Sequence, residues 1–160
     1  MCDTAFTDHL TGLRNRRFLL ERLQEEVEEA HRYTHPVSCV LFDVDDIVAM
    51  DDELGPVSLD DLMVEIGMSI RNFSRSFDIV ARYDGTVFAA VLPHTPVKDA
   101  VDYARKIQED VDSTTFSDPC FPTCARLSVG LTCYMNNKPR AADFVLGEAM
   151  RNLLEAKSRP

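Results

Sequence analysis

Two β-prone runs, residues 78–83 and 86–92, are divided by the dipeptide Asp84-Gly85. Asp-Gly between such runs is the strongest short-range hairpin signal, because a type I′ turn needs positive φ at both central residues. The spacing predicts a hairpin with its turn at Asp84-Gly85. An isolated hairpin is barely stable in water, so the other segments must supply further strands and covering helices.

Upstream, residues 37–44 (VSCVLFDV) form a continuous apolar run bounded by Pro36 and an acidic cluster. Such a run reads as a central strand covered on both faces. Residues 8–13 read as an extended lead-in with a glycine turn at Gly12, and Asn15 as the N-cap of a first helix. In that helix Leu20, Leu23, Val27 and Ala30 form one buried stripe. Glu25, Glu26, Glu28 and Glu29 read as a solvated face. Residues 45–61 are acidic and carry Gly55-Pro56, so they read as a loop with at most one short helix. Leu59, Leu62, Met63, Ile66, Ile70 and Phe73 mark a second helix ending near Ser74. A third helix spans 96–112, with Val97, Ala100, Val101, Ala104, Ile107 and Val111 inward. Residues 113–123 read as a loop, 127–134 as a strand and 142–157 as a last helix.

The core order is therefore β-α-β-β-α-β. This is the α+β, ferredoxin-like arrangement, an antiparallel sheet with its two crossover helices on one face.

A length of 160 residues suits one domain able to bury a real core. No apolar run approaches the ~20 residues of a membrane span, so no membrane insertion is expected. The net charge of −10 disfavours nucleic acid polymers and anionic membranes. Any phosphate-bearing ligand must find a local positive patch. The five cysteines (Cys2, Cys39, Cys120, Cys124 and Cys133) are odd in number and scattered, which reads as reduced thiols in the cytoplasm. Cys120 and Cys124 lack a second pair, so zinc is not expected there. His9, His31, His35 and His94 are dispersed along the chain and form no ligand pattern.

Asp43 and Asp45 share one face at the end of the central strand, where hard carboxylate oxygens suit Mg²⁺ together with substrate phosphates. Strand-end aspartates that merely meet solvent leave the same pattern. With the D-x-L-T-G-L-x-N-R run at 8–16 and the hairpin, these residues resemble the GGDEF domain of bacterial diguanylate cyclases over residues 3–157. The resemblance implies the same core with additional helices flanking the sheet. It also implies a single domain over 1–160, expected to be the C-terminal part of a longer signalling protein.

Against the family's pattern the site looks degenerate. The resemblance leaves Asp43 at the metal-binding aspartate, as a vestigial ligand. Val48 replaces the lysine that contacts triphosphate, and Asp51 the asparagine that reads guanine, while its partner remains as Asp60. Pro56 replaces a histidine. At the hairpin tip Asp84 stands at the first glycine, Gly85 is kept, Thr86 stands at the metal-binding acid and Val87 at the next. Lys157 survives from the family's A-K pair, and Met150 replaces an aspartate. Phosphodiester formation needs cations on the attacking and leaving oxygens. The loss of a ligand and a lysine and the gain of carboxylates imply that cyclase activity is lost. No cofactor is expected, and Mg²⁺ would enter only with a nucleoside triphosphate.

Arg75-Ser76-Phe77-Asp78 matches the family's inhibitory R-x-x-D site, which binds cyclic di-GMP. An arginine fork can bond the O6/N7 edge of guanine and a carboxylate its N1/N2 donors. Arg82 and Arg105 are further candidates. A helix-end arginine paired with a strand-start aspartate produces the same pattern without a ligand. The resemblance thus leaves three readings: a cyclic di-GMP receptor, a pseudoenzyme serving as a homodimer or binding a partner signalling domain, and a residual GTP-binding cyclase.

Overall fold

The computed structural model describes residues 5–45, 51–114 and 125–159, and the side chains of these except 51–59. The described elements run α1 (Arg16–Tyr33), β1 (Val37–Asp45), α2 (Asp51–Asn72), β2 (Ile79–Asp84), β3 (Val87–Pro93), α3 (Val97–Ser113), β4 (Arg126–Tyr134) and α4 (Ala142–Ser158). The strands form one sheet in the order β2-β3-β1-β4, every neighbouring pair antiparallel. This is the expected ferredoxin-like order. The loop expected at 113–123 lies largely outside the described residues, as do Cys2, Cys120 and Cys124.

The period-2 alternation of β1 divides the core. Val40, Phe42 and Val44 face α2 and α3, meeting Leu62, Met63, Ile66, Ile70, Ala104 and Ile107. Val37, Cys39 and Leu41 face α1 and α4, meeting Leu19, Leu23, Val27, Val145 and Leu153. The crossover helices thus share one face as expected, and the two additional helices cover the other. Burial on both faces explains why β1 reads as an unbroken apolar run. Phe42 and Phe88 are cross-strand partners and fully buried, so truncating either to alanine costs about 3–5 kcal/mol.

Local signals account for the ends of several elements. Asn15 Oδ1 accepts from the Phe18 amide at 3.0 Å, capping α1 as predicted. Gly12 has φ 75°, the left-handed conformation its turn requires. At Gly130 in β4 a side chain has no room, since a Cβ there would lie 2.2 Å from the Leu153 nitrogen and 2.4 Å from the Ala149 oxygen. This close approach seats α4 against the sheet.

Several expectations are corrected. Helix α2 begins at Asp51 rather than after Gly55-Pro56. Its buried stripe of Leu62, Met63, Ile66 and Ile70 anchors the helix, and packing overrides the poor propensity of Gly-Pro. Phe73, Val97 and Val101 are exposed by 41%, 51% and 44%. Phe73 lies past the end of α2. In α3 the inward line is the narrower Ala100, Ala104, Ile107 and Val111. Glu26 is buried rather than solvated, because it follows Leu19 and Leu23 by seven and three residues and falls on their stripe. Burial pushes its pKa up, opposed by the Arg22 guanidinium at 3.0 Å.

The hairpin forms, but its turn is not type I′. Asp84 pairs with Val87, so the tip is Gly85-Thr86, with a register shift between Arg82 and Asp84. None of Asp84, Gly85 and Thr86 is among the described residues with positive φ. Side chains brace the tip instead. Arg82 donates to the Gly85 carbonyl at 2.8 and 3.2 Å, and Asp84 Oδ1 accepts from the Gly85 amide at 2.8 Å.

Candidate functional site

The end of β1 and the hairpin tip meet beside the C-terminal turn of α4. Asp43 and Asp45 project to the α1/α4 face, as their i, i+2 spacing requires. Asp43 Oδ1 accepts from the Thr86 hydroxyl at 2.8 Å, and Oδ2 is hydrogen-bonded by the Lys157 ammonium. Lys157 Nζ also lies 3.5 Å from Asp45 Oδ1. The Ser128 hydroxyl donates to Asp45 Oδ2. The hydrogen bond that Lys157 donates to Asp43 holds its pKa above the usual value, aided by the nearby charges of Asp43 and Asp45. Octahedral Mg²⁺ wants several hard oxygens free to close around it. Here both Asp43 oxygens are taken, one by a neutral hydroxyl and one by a cation of the chain itself. The donor set does not fit a divalent ion while Lys157 stays in place.

The other nucleotide candidates lie apart from this cluster or are not described. Asp60 is exposed on α2, Asp84 and Gly85 are exposed at the tip, and the Asp51 side chain lies outside the described residues. Arg82 Nη1 lies 3.6 Å from Asp8, whose Oδ2 accepts from the Thr11 amide and hydroxyl at 3.0 and 2.7 Å. The Arg82 amide also donates to the Arg14 carbonyl at 2.9 Å. The D-x-L-T run and Arg82 therefore bind the lead-in segment to β2.

Arg75 and Asp78 meet at the opposite end of β2. Asp78 Oδ2 accepts from the Arg75 amide at 2.8 Å and Nε at 3.2 Å, and Oδ1 from Nη2 at 3.1 Å. Nη2 also donates to Thr95 Oγ1 at 2.5 Å, and the guanidinium lies over the Phe77 ring, 4.5 Å from its centroid. The Asp78 side chain is only 2% exposed, whereas that of Arg75 is 48% exposed. A cavity of about 380 Å³ opens beside the pair, lined among others by Thr95, Asp99, Asp102, Tyr103 and Lys106. Burial raises the Tyr103 pKa, and its hydroxyl bonds Ser74 Oγ at 2.7 Å. Arg105 does not line this cavity and pairs with Asp102 at 2.8 Å.

Residues 5–160 match the family described as diguanylate cyclase, GGDEF domain. The chain belongs to the GGDEF family. It is 32% identical to the response regulator PleD of Caulobacter vibrioides over 115 residues, 72% of this chain and 25% of PleD. It is 29% identical to the diguanylate cyclase DgcP of Pseudomonas aeruginosa over 153 residues, 96% of this chain and 22% of that protein. The chain therefore spans about a quarter of the length of these relatives. Among solved structures, the P. aeruginosa diguanylate cyclase SiaD, in complex with its activator SiaC, superposes with a TM-score of 0.88 at 30% identity. That match covers 96% of this chain and 58% of that one. The GGDEF domain of DgcB from Caulobacter crescentus, in complex with c-di-GMP, shares the fold with a TM-score of 0.90 at 20% identity, covering 99% and 90%.

Within the GGDEF fold, two features escaped the sequence reading. Lys106, not Arg105, lines the cavity beside Arg75. On α3 the step of one residue turns a side chain by about 100°, so choosing between them required the helix phase. The histidines expected to be dispersed also partly converge, since His35 and His94 stack with ring centroids 3.8 Å apart. They precede β1 and follow β3, and the pairing of Val37 with Pro93 brings those two ends together. Among the described residues, no helix is long and apolar enough to cross a membrane.

Proposed function

We propose that this GGDEF domain makes no cyclic di-GMP and instead receives it beside Arg75. The observation that carries this reading is the contrast between the two candidate sites. At the tip, Lys157 and Thr86 occupy the Asp43 carboxylate, and the family's metal-binding acid is replaced by Thr86. Beside Arg75 there is instead an open cavity lined by two cationic side chains, Arg75 and Lys106, together with the carboxylates of Asp78, Asp99 and Asp102. Arg75 Nε and Nη2 are spent on Asp78 and Thr95, which leaves Nη1 of this half-exposed guanidinium for a guanine edge, with Lys106 available to a phosphate. Mg²⁺ has no part in this binding. The DgcB domain in complex with c-di-GMP and the match over residues 5–160 support the ligand class.

One observation favours a second reading, a pseudoenzyme that binds protein. The Asp78 carboxylate is buried and already satisfied by Arg75, so it offers a guanine no free acceptor without rearrangement. Calorimetric titration with cyclic di-GMP separates the two. Saturable binding that Arg75→Ala abolishes supports the receptor, and no binding at all leaves the interaction module. Incubation with GTP and Mg²⁺ or Mn²⁺ tests the loss of activity, and any dinucleotide product overturns it.

A further inference from the structure

At the end of the sheet remote from the hairpin tip, three side chains from separate segments converge. Glu29 comes from the last part of α1, His35 from the link into β1, and His94 from the residue after β3. One ligand atom from each lies within 4.8 Å of the other two. His35 Nδ1 faces the Pro36 carbonyl at 3.4 Å. A carbonyl can only accept, so in the neutral ring this contact places the proton on Nδ1 and the lone pair on Nε2. That Nε2 is buried and has no hydrogen-bond partner. Its nearest charged neighbour is Glu29 Oε1 at 4.0 Å, which is also an acceptor. Two acceptors facing one another need a donor or a cation between them.

His94 adds the third donor from a strained position. Its φ of 53° is a left-handed conformation that a non-glycine residue adopts at a cost. That conformation holds the ring against His35, 3.8 Å between centroids. The neighbouring carboxylate of Glu26 is engaged by Arg22 at 3.0 Å, which leaves Glu29 as the acid of the cluster.

We propose that Glu29, His35 and His94 form a binding site for a borderline-soft divalent metal ion, of which Zn²⁺ is the type. Two imidazole nitrogens and one carboxylate oxygen are the donors such ions select, whereas Mg²⁺ and Ca²⁺ take oxygen shells. The Pro36 carbonyl on Nδ1 is the outer partner that ligating histidines characteristically carry. Ligand bonds of ~2.0–2.2 Å need the three atoms to close by a few tenths of an ångström or more. Glu29 and His94 are exposed and free to make that adjustment. Solvent completes the fourth position. His94 also lies between Pro93 and Thr95, and Thr95 accepts from Arg75, so the metal site and the cyclic di-GMP candidate share one backbone segment.

The test is calorimetric titration of the chelator-treated protein with ZnCl₂, alongside His35→Ala, Glu29→Gln and His94→Asn. Asparagine tolerates the left-handed backbone, so the last variant separates loss of a ligand from loss of the turn. Circular dichroism of each variant checks folding. Cobalt substitution distinguishes this site from the cysteines, because nitrogen and oxygen ligands produce no thiolate charge-transfer band. One Zn²⁺ per chain is expected, weakened about tenfold or more in the histidine variants, with no response to Mg²⁺. Absence of zinc binding overturns the proposal. Binding that is unchanged in folded His35→Ala and His94→Asn, or that carries a thiolate band, overturns it as well.

Discussion

The Asp78 carboxylate accepts three hydrogen bonds from one residue, Arg75: from its amide at 2.8 Å, its Nε at 3.2 Å and its Nη2 at 3.1 Å. The loop between α2 and β2 is thereby closed on itself, with the acid inside and the guanidinium at the surface.

This asymmetry separates the two partners under mutation. Arg75→Ala leaves a buried carboxylate with only a backbone donor, a loss of about 1–3 kcal/mol. Asp78→Asn removes the charge but keeps one acceptor oxygen, and is expected to cost less. Urea unfolding of both variants measures the difference. Equal midpoints would show that the acid is hydrated in solution.

At the hairpin tip, Lys157 serves as a cation for Asp43 and Asp45. Lys157→Ala leaves the two carboxylates facing each other, and a lower melting temperature is expected. Millimolar Mg²⁺ is expected to restore part of that loss in the variant and to leave the parent unchanged. A variant indifferent to Mg²⁺ would show that the Asp43 cluster has no remaining capacity for a metal.

Gly130 is where α4 approaches β4 most closely. The space for a methyl group is occupied by backbone atoms of Ala149 and Leu153, which cannot swing aside as a flexible side chain would. Gly130→Ala is expected to destabilise the domain by about 4 kcal/mol or more, or to prevent soluble expression. A thermal melt close to that of the parent would show that α4 shifts along the strand.

Cys39 is fully buried near the start of β1, and burial pushes its thiol pKa up to about 12. The folded chain therefore holds this proton more tightly than the unfolded chain, whose thiol titrates near the usual 9.0. Its contribution is intact below pH 9 and stability falls as pH rises from there toward 12. Iodoacetamide at pH 8 is expected to leave the Cys39 peptide unmodified until denaturant is added, as read by peptide mass mapping. Rapid labelling of the native chain would show that β1 opens locally.

Periodicity and turn chemistry carried most of the architecture. The unbroken apolar run of β1, the presence of a hairpin after α2 and the Asn15 cap are local features, readable because each depends on neighbours within a few residues. The turn itself, by contrast, falls at Gly85-Thr86 through side-chain bracing by Arg82 and Asp84. The start of α2 was misread because Gly55-Pro56 is a local breaker, and the long-range packing that overrides it is invisible to a local reading. That Lys106 lines the cavity beside Arg75 was not legible for a similar reason, since helix phase relative to a cavity is a property of the assembled fold.

The sequence alone determined which residues are present to do chemistry: Thr86 at the hairpin tip, Lys157 near the C-terminus, and an Arg75-Asp78 pair. Only the tertiary structure decided what they do to one another. Lys157 reaches Asp43 from 114 positions away, and His94 reaches His35 from the far end of another strand. Such contacts depend on sheet register and helix docking, which arise from burial of the whole core rather than from any short stretch of chain.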